Sequence, residues 1–500
     1  MTAARHPDRM YDIVVIGAGI AGLTAAALAA RHGLAVALVE QHSRPGGCAS
    51  DFVRGGVRFP AGATMVTGFE QGGLHRWVYE RLGIPIRARA MDLAMICHLP
   101  DRTVRVFTDR ERWDEERRRA FPELGSSGDR FWSTVSHHAR TAHWIASKLP
   151  TLPVQSARDA LPLARLTRPG TITAAPLLFA TVNDLLSRAG AYHSAHRAFV
   201  DNQLLITMQT TADSCVALNG ALALDLYRFG CFSLDGGPPT IARDLAASFV
   251  RSGGVLRYRE RVLRLSFTRG SWRVTTATGT SFGARSVIAN VPAANLAQLL
   301  GPVAPPAVTR RVPVEENQWG AAVLYIAARP DRHMDGLPSF HQVVECPPGR
   351  PQVSYFISAY PPQPTPETPL ITVTVSTHTP AEPWLHSESE EAYRASKAAI
   401  SARLLHAAER ALPGISAHVA MTDAATPRTF RTWTLRHGGR VGGIPRTLQH
   451  SNLQDFSHRA GLPGLFACGD TVFPGQGTIG VTLSGINAWR AASAALRPSA

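Results

Sequence analysis

The sequence predicts an α/β protein, in which a Rossmann-like nucleotide-binding domain is interleaved with a substrate-binding domain of α+β character. Residues 12–47 have the pattern strand, glycine turn, helix and second strand, which is typical of a βαβ unit. A second glycine-rich strand-to-helix turn lies at 465–487, near the other end of the chain. The length of 500 residues exceeds one ordinary core, since about 150 residues per domain is a usual size. We therefore expect two domains that share the chain in alternating segments.

Apolar patterns predict the first elements of the nucleotide-binding domain. Residues 12–16 predict a strand, 20–32 predict an alanine-rich helix that ends at Gly33, and 34–40 predict a second strand. From 76 to 234 the pattern is mainly helical and irregular.

The later part of the chain alternates between sheet and helix patterns. It contains, in order, a helix at 240–252, strands at 255–267, 272–277 and around 285–290 that resemble a small β-meander, a helix at 388–411, and a last helix to about 495. Prolines crowd three connections between these elements. The predicted boundaries are nucleotide-binding segments at 11–75, 235–300 and 455–500, and substrate-binding segments at 76–234 and 301–454.

The composition indicates a globular protein with a basic surface. Apolar residues make up 45% of the chain and charged residues 18%, which supports a large buried core. The formal net charge is +15, and it comes almost wholly from arginine, since Lys148 and Lys397 are the two lysines. The arginines are scattered instead of gathered on one element, so we expect no nucleic-acid partner. A positive surface suits an anionic membrane face, where each nearby basic residue contributes roughly 1 kcal/mol.

Cysteine and histidine patterns predict no metal site. The six cysteines form no CxxC pair, and the sequence has no HExxH motif. A reducing, cytoplasmic location is the simplest interpretation. The apolar run from Ile13 to Ala30 contains three glycines at the spacing of a strand-to-helix turn, so we expect neither a signal peptide nor a transmembrane segment.

The glycine turn after the first strand predicts a dinucleotide site. Gly17 allows the tight turn, Gly19 lets the backbone approach a pyrophosphate, and Gly22 lets helix and strand pack closely. Glu40 ends the second strand, where its carboxylate would accept hydrogen bonds from ribose hydroxyls. The pattern alone does not separate NAD from FAD.

Two further segments favour FAD. Arg44, Gly46 and Gly47 resemble the second phosphate-contact loop of large two-domain flavoproteins, which an NAD domain does not need. A strand that ends in Gly469-Asp470 resembles the flavoprotein element whose aspartate binds a ribityl hydroxyl, and the glycine-rich start of the next helix would face the flavin pyrimidine edge. The predicted cofactor-binding residues are Gly17, Gly19, Ala21, Gly22, Glu40, Gln41, Arg44, Gly46, Gly47, Val262, Gly469, Asp470, Gly477, Thr478 and Ile479.

These motifs resemble those of the phytoene desaturase and carotenoid isomerase group, within the wider amine-oxidase-like flavoprotein superfamily. The stretch CGDTVFPGQGTIGVTLSG at 468–485 is similar to the C-terminal signature of that group, and the two chain ends and 236–290 match best. The resemblance implies non-covalent FAD, a C40 polyene substrate, a peripheral membrane association, and quinone or oxygen as the electron acceptor. The apolar segments 172–186 and 215–226 suit such a substrate.

Within the group, a desaturase that forms the 3,4 double bond of an acyclic or monocyclic carotenoid is the first interpretation, and a carotene cis-trans isomerase is the alternative. No catalytic base is predicted, and His437, Asp201 and Glu316 are only guesses. An amine oxidase would need an aromatic cage beside the flavin, for which Phe473 has no clear partner. Rab escort and dissociation-inhibitor proteins resemble the fold without flavin chemistry, but the intact glycine and aspartate motifs argue against that class.

Overall fold

The computed structural model describes residues 10–311, 319–331, 339–363 and 369–497. Its strands are β1 (Met10–Ile16), β2 (Val36–Val39), β3 (Asp51–Arg54), β4 (Val57–Pro60), β5 (Arg89–Ala90), β6 (Leu93–His98), β7 (Thr103–Phe107), β8 (Phe232–Ser233), β9 (Val255–Arg257), β10 (Val262–Thr268), β11 (Ser271–Thr276), β12 (Ser281–Ala289), β13 (Trp319–Ala328), β14 (Phe340–Glu345), β15 (Val353–Gln363), β16 (Leu370–Pro380), β17 (Val419–Ala425) and β18 (Leu465–Ala467).

The helices alternate with these strands. They are α1 (Ile20–Arg31), α2 (Leu74–Leu82), α3 (Arg110–Ala120), α4 (Gly125–Ser147), α5 (Ala157–Ala164), α6 (Pro169–Ala174), α7 (Val182–Ala189), α8 (Ser194–Met208), α9 (Ala217–Asp225), α10 (Pro239–Arg251), α11 (Ala293–Leu300), α12 (Pro306–Thr309), α13 (Glu382–Leu385), α14 (Glu390–Ala411), α15 (Pro427–Thr434) and α16 (Thr478–Ala495). None of these described helices is both long and apolar enough to cross a bilayer.

The first sheet carries the predicted nucleotide-binding unit. Its strand order is β10-β11-β12-β1-β2-β9, and β18 also pairs with β12. The strands β9, β2, β1, β12 and β18 are mutually parallel, whereas β10 and β11 are antiparallel neighbours. In such a sheet, ligands bind outside the carboxyl ends of the parallel strands.

Helix α1 is buried along almost its whole length because it packs between the sheet and other helices. Its alanines bring α10 and α16 close, and a Cβ added to Gly485 in α16 would lie 2.3 Å from the carbonyl oxygen of Ala21. The alanine and glycine content of these helices therefore permits the close approach that sets the position of both N-termini.

One predicted strand proved to be two. The sequence pattern at 255–267 indicated a single strand, but the chain breaks into β9 and β10 at opposite edges of the sheet. The break lies near Arg259, which has a positive φ of 59° and donates its amide to the carbonyl oxygen of His42. A left-handed residue ends the extended conformation.

The second sheet has seven strands in the order β17-β13-β16-β15-β14-β6-β7. Helix α14 covers one face, where Leu404 and Ala408 pack on residues of β13 such as Leu324. The segment 76–234, predicted to be mainly helical and irregular, consists mostly of helices and loops but also contains β6 and β7, which join this sheet through a parallel pair between β6 and β14. Because β14 lies more than about 200 residues after β6, the sequence around β6 gives no sign that the two strands pair.

Candidate functional site

The carboxyl ends of the parallel strands open into one large cavity. Its volume is about 1430 Å³, which exceeds the roughly 300–1,000 Å³ of most ligand pockets. All the residues predicted to bind the cofactor line this cavity except Gly22 and Arg44. The cavity also extends past α5, α6 and α9 to the second sheet. It therefore has room for a dinucleotide and a second molecule.

The glycine turn lies between β1 and α1, as the sequence predicts. Gly17 has a φ of +93°, and a Cβ at this position would lie 2.7 Å from the backbone oxygen of Asn290. A Cβ on Gly22 would lie 2.2 Å from the carbonyl oxygen of Gly17, so Gly22 serves helix-to-strand packing and does not face the cavity. Gly19 is the N-cap of α1, whose free amides point toward a ligand at this end.

The second glycine segment packs on the first. The amide of Gly46 donates to the carbonyl oxygen of Ala18 at 2.7 Å. A Cβ on Gly47 would lie 3.5 Å from the Cα of Gly19. Both glycine segments therefore present bare backbone to the same part of the cavity wall.

Asn290, at the end of β12, joins the two ends of the chain. Its Nδ2 donates to the carbonyl oxygen of Gly17 at 3.1 Å. A Cβ on Gly19 would lie 2.7 Å from Asn290 Nδ2, and a Cβ on Gly469 would lie 3.0 Å from Asn290 Oδ1. The opening turn and the closing Gly-Asp segment thus meet around one side chain. Sequence reasoning missed Asn290, although a polar residue directly after the apolar strand end SVIA was a usable signal.

Glu40 lies at the end of β2 beside the glycine turn. Its Oε2 accepts from the amide of Ala18 at 2.7 Å, and its Oε1 accepts from the amide of His42 at 2.8 Å. Burial raises the pKa of Glu40, against the opposing effect of these two amides. The next residue, Gln41, also lines the cavity and donates to the carbonyl oxygen of Thr434 at 3.1 Å.

The closing segment brings a carboxylate and a helix N-terminus to the cavity. Asp470 is the third residue after the end of β18, and its side chain is 17% exposed. Gly477 is the N-cap of α16 with a φ of +82°, and Thr478 and Ile479 form the first turn, which contains no acidic residue. The free amides of this turn give a partial positive charge at the cavity wall.

Arg436 is a cavity residue that the sequence did not reveal. Its Nη2 lies 2.9 Å from Oδ2 of Asp470, and its Nε donates to the carbonyl oxygen of Arg440 at 2.8 Å. The Arg436 side chain is 13% exposed. The stretch from Ala425 to Gly443 resembles the segment near the flavin in the carotenoid desaturase and isomerase group, but nothing in it singles out Arg436.

Arg44 does not line the cavity, in contrast to its predicted place at the phosphates. Its Nη1 forms an ion pair with Asp51 Oδ1 at 3.1 Å, and Arg58 and Arg243 share the same carboxylate at 2.9 and 2.6 Å. Asp51 is buried, and its negative charge holds Arg44 on the outer side of the glycine doublet.

Val262, at the start of β10, lines the cavity. Its role beside an adenine stays a prediction. The guessed bases fall in different places: His437 lines the cavity, Asp201 forms an ion pair with Arg197 and accepts from the amide of Ala212, and Glu316 lies outside the described residues. Within the described ranges, no three His, Cys, Asp or Glu side chains are grouped as metal ligands would be.

Beyond the glycine segments, the cavity wall becomes largely apolar. The two segments predicted to suit a polyene, 172–186 and 215–226, contribute Ile172, Leu178, Leu218 and Leu222. Helix α5 and the loop after it add Leu163 and Leu166. The second sheet closes this part with residues of β13, β15 and β16, including Val323 and Phe356. His378 is the titratable group of this wall on β16, and burial lowers its pKa to about 4, so its ring is neutral near pH 7.

The family described as flavin containing amine oxidoreductase has a model that matches residues 20–493. The chain is 26% identical over 95% of its length to prolycopene isomerase 2, chloroplastic, of an Oncidium hybrid cultivar, 82% of which is covered. It is 40% identical to hydroxyneurosporene desaturase of Rubrivivax gelatinosus over 77 residues, which are 15% of this chain and 13% of that one. Its fold is similar to that of cyclohexylamine oxidase from Brevibacterium oxydans, with a TM-score of 0.60, 16% identity, and coverage of 98% of this chain and 99% of that one.

Proposed function

Because the chain belongs to the flavin containing amine oxidoreductase family, we propose that it uses FAD to transform a long polyene of the carotenoid class. The family match confirms the predictions of an FAD-dependent oxidoreductase and of an α/β fold. The resemblance to the carotenoid desaturase and isomerase group is confirmed as well, since its relatives carry those activities in their names.

The glycine backbone and the two helix N-termini fit an anionic dinucleotide. In the proposed arrangement, Glu40 accepts hydrogen bonds from the adenosine ribose and Asp470 accepts from the ribityl chain. Gly19, Gly46 and Gly47 let the backbone approach the pyrophosphate. The amides of Thr478 and Ile479, at the N-terminus of α16, stabilise negative charge at the flavin pyrimidine edge.

The apolar part of the cavity is the observation that carries the substrate proposal. A carotenoid offers almost no polar group, so its binding must come from burial of hydrocarbon at about 0.8 kcal/mol per CH₂. The walls formed by α5, α6 and α9 supply leucine and isoleucine side chains continuous with the flavin end of the cavity. These walls would orient the polyene and exclude water.

Desaturation is the first reaction that we propose. When bound, FAD would supply the acceptor for a hydride from one allylic carbon, and a neighbouring carbon would lose a proton to solvent, so that a double bond forms. A quinone or oxygen would then take up the two electrons. The likeness to the hydroxyneurosporene desaturase, although short, supports this choice. The chain's own contribution is to hold the reacting carbons at the flavin edge.

Isomerisation is a second candidate, favoured by a different observation. The prolycopene isomerases match over nearly the whole chain, whereas the desaturase matches over a short segment. An isomerase needs the same apolar cavity and the same cofactor, but its product has the mass of its substrate.

Incubation of the purified protein with a cis-carotene and with a hydroxylated acyclic carotenoid distinguishes the two reactions. Desaturation lowers the product mass by two hydrogens and shifts the absorption to longer wavelength, whereas isomerisation changes only the chromatographic retention. Release of hydrogen peroxide from an amine, with no change in any carotenoid, would contradict both. Phe473 packs with Leu74 and Leu483 instead of a second ring, which argues against an amine cage.

A matched pair of variants tests the apolar wall itself. Leu222→Gln places an amide in the wall of α9, whereas Leu263→Gln makes the same change at an exposed position of β10 outside the cavity. We expect the first variant to raise the KM for the carotenoid about five- to 150-fold, because a buried amide without a partner costs roughly 1–3 kcal/mol, and the second to leave it unchanged. Equal KM values for the two variants would mean that the carotenoid does not bind in this part of the cavity.

We also propose that the protein docks on the cytoplasmic face of a membrane to obtain its substrate. Ile172 is 61% exposed and also lines the cavity, and Leu161 and Phe179 nearby are 57% and 73% exposed. Arg165 and Arg168 lie in the same stretch. Exposed apolar residues beside basic ones are typical of a surface that inserts into the headgroup region.

Sedimentation with anionic vesicles tests this docking. High salt should release the protein only in part, since apolar insertion persists when charge attraction is screened. Phe179→Ser should make release by salt nearly complete, and Leu263→Ser should not. Complete release of the wild-type protein would count against insertion.

A further inference from the structure

None of the predicted cofactor-binding residues brings a positively charged side chain to the glycine cradle. The side chain of Arg44 is 42% exposed and turned to Asp51, and Asp51 also holds Arg58 and Arg243. Freeing Arg44 would break its ion pair with a buried carboxylate. The carboxylates of Glu40 and Asp470 add negative charge at either end of the cradle.

Arg436 lies inside the cradle, and its charge reaches both of its walls. It forms an ion pair with Asp470 on the closing side. Arg436 lines the same cavity as the doublet Gly46-Gly47 and the residue after it, Cys48. Burial raises the pKa of the Cys48 thiol and the charge of Arg436 lowers it, which agrees with this shared position.

The residues on either side hold Arg436 in place. The segment 433–437 is bound to the end of β2, because Gln41 donates to the carbonyl oxygen of Thr434 and the ring of His42 forms a hydrogen bond with the carbonyl oxygen of Trp433. It is also bound to α11, since Asn295 donates to the carbonyl oxygen of Leu435 at 2.7 Å and accepts from the amide of His437 at 3.1 Å. Arg436 stands between these anchors.

The Arg436 guanidinium has a nitrogen atom that can still donate to an anion. Nε donates to the carbonyl oxygen of Arg440 and Nη2 faces Asp470, which leaves Nη1 outside both contacts. A planar guanidinium can bind a carboxylate and a phosphate oxygen at once through different nitrogens.

We propose that Arg436, and not Arg44, binds the pyrophosphate of FAD, and that Asp470 orients it from the ribityl side. This inference rests on FAD as the cofactor and is independent of the carotenoid proposal. The positive charge for the cofactor then comes from the substrate-binding segment at 301–454, instead of from the loop that follows β2.

Affinities for FAD and riboflavin test the proposal, because riboflavin has the isoalloxazine and the ribityl chain but no pyrophosphate. The protein is stripped of flavin, and binding is followed by fluorescence for Arg436→Met, Arg436→Lys and the matched control Arg44→Met. We expect Arg436→Met to raise the Kd of FAD about ten- to a hundredfold, as the loss of a charge-assisted hydrogen bond predicts. Its Kd for riboflavin should stay within about threefold of the wild-type value.

The other variants separate a phosphate contact from a structural role. Arg436→Lys, which keeps the charge, should recover most of the FAD affinity, and Arg44→Met should bind both flavins as the wild-type protein does. Equal losses of FAD and riboflavin affinity in Arg436→Met would mean that Arg436 only supports Asp470, and the proposal would fall. It would fall equally if Arg44→Met lost FAD affinity while Arg436→Met retained it. Should Arg436→Met not fold, an FAD affinity of Arg436→Lys that no longer depends on salt would contradict the phosphate contact.

Discussion

The carboxylate of Asp470 serves two partners in the proposed complex, the ribityl chain and Arg436. Asp470→Ala removes an acceptor from the cofactor and leaves Arg436 partly buried without its ion pair, which typically costs 3–5 kcal/mol for a buried pair. We expect the purified variant to contain little flavin and to form little product. Flavin absorbance per protein and product yield measure both losses together.

The matched variant Asp470→Asn keeps the shape of the side chain and should retain more flavin than Asp470→Ala. An Asp470→Ala protein with full flavin content and full activity would contradict the assignment of Asp470.

Glu40 couples cofactor binding to pH. Burial raises the pKa of Glu40 above its ordinary value of 4.5, whereas ribose hydroxyls that donate to the carboxylate would favour its charged form. Binding of FAD should therefore release a proton, and the Kd of FAD should fall as pH rises from about 4.5 to the raised pKa, by at most tenfold per unit. Titration calorimetry in buffers of different ionisation enthalpy measures the released proton.

The variant Glu40→Gln cannot titrate, so its FAD affinity should be flat over the same pH range. A slope that survives this substitution would assign the proton to another group.

At single positions, the sequence revealed residues whose role follows from a local motif. Gly17, Glu40 and Asp470 each stand at the end of a strand, and the structure brings all three to one cavity. Asn290 directly follows a strand end that the sequence shows, but Arg436 reaches the same cavity from a loop in which no single side chain stands out. Arg44 lies outside the cavity lining because Asp51 holds it together with Arg58 and Arg243, a cluster that becomes visible only in three dimensions.

Among the elements, the contact between α1 and α16 positions both helix N-termini that face the cavity. Gly485→Ala would place a Cβ 2.3 Å from the backbone oxygen of Ala21, which the helix cannot easily move. We expect a loss of about 1–3 kcal/mol in the free energy of unfolding, together with weaker FAD binding, because both N-termini shift. Urea unfolding and FAD titration measure the two effects.

Gly170→Ala in α6 is the control. A Cβ there meets only the side chain of Thr141 at 3.1 Å, so the substitution should be neutral or slightly stabilising. An equal effect of the two substitutions would show that helix packing at Gly485 is not the cause.

Local patterns predicted the βαβ unit well because each of its elements is buried along most of its length, so that its own sequence is mainly apolar. Strand β1 and helix α1 have apolar residues throughout, and their observed ends lie within two residues of the predicted ones. The second sheet could not be predicted in this way, because its paired strands, such as β6 with β14 and β13 with β17, lie too far apart in the sequence for a local pattern to show the pairing. The strand at 255–267 was divided by Arg259, whose left-handed conformation is not encoded by residue type.

For the molecule as a whole, buried neutral histidines predict sensitivity to acid. Burial lowers the pKa of His75 to about 3, and those of His196 and His458 to about 4, from 6.5. As pH falls, these histidines are protonated in the unfolded chain before they are protonated in the folded one. The free energy of unfolding therefore has its full value above about pH 6.5 and decreases toward pH 4. Each histidine contributes a slope of up to about 1.4 kcal/mol per pH unit, which urea unfolding at pH 7 and pH 5 measures.

His196→Phe tests one of these contributions. The ring of His196 packs against Phe121, Phe131 and Trp132, and its Nδ1 bonds with the carbonyl oxygen of Ala191. The variant should be less stable than the wild-type protein at pH 7 by about 1 kcal/mol, and this deficit should shrink as pH falls. A deficit that is constant with pH would exclude His196 from the acid transition.

Asp470 lies about 450 residues after the opening glycine turn, so the two parts of the site are synthesised at different times. At synthesis rates of about 5–20 residues per second, the turn is exposed some tens of seconds before Asp470 exists. A nascent chain that ends before β18 therefore lacks both the parallel neighbour of β12 and the acceptor proposed for the ribityl chain.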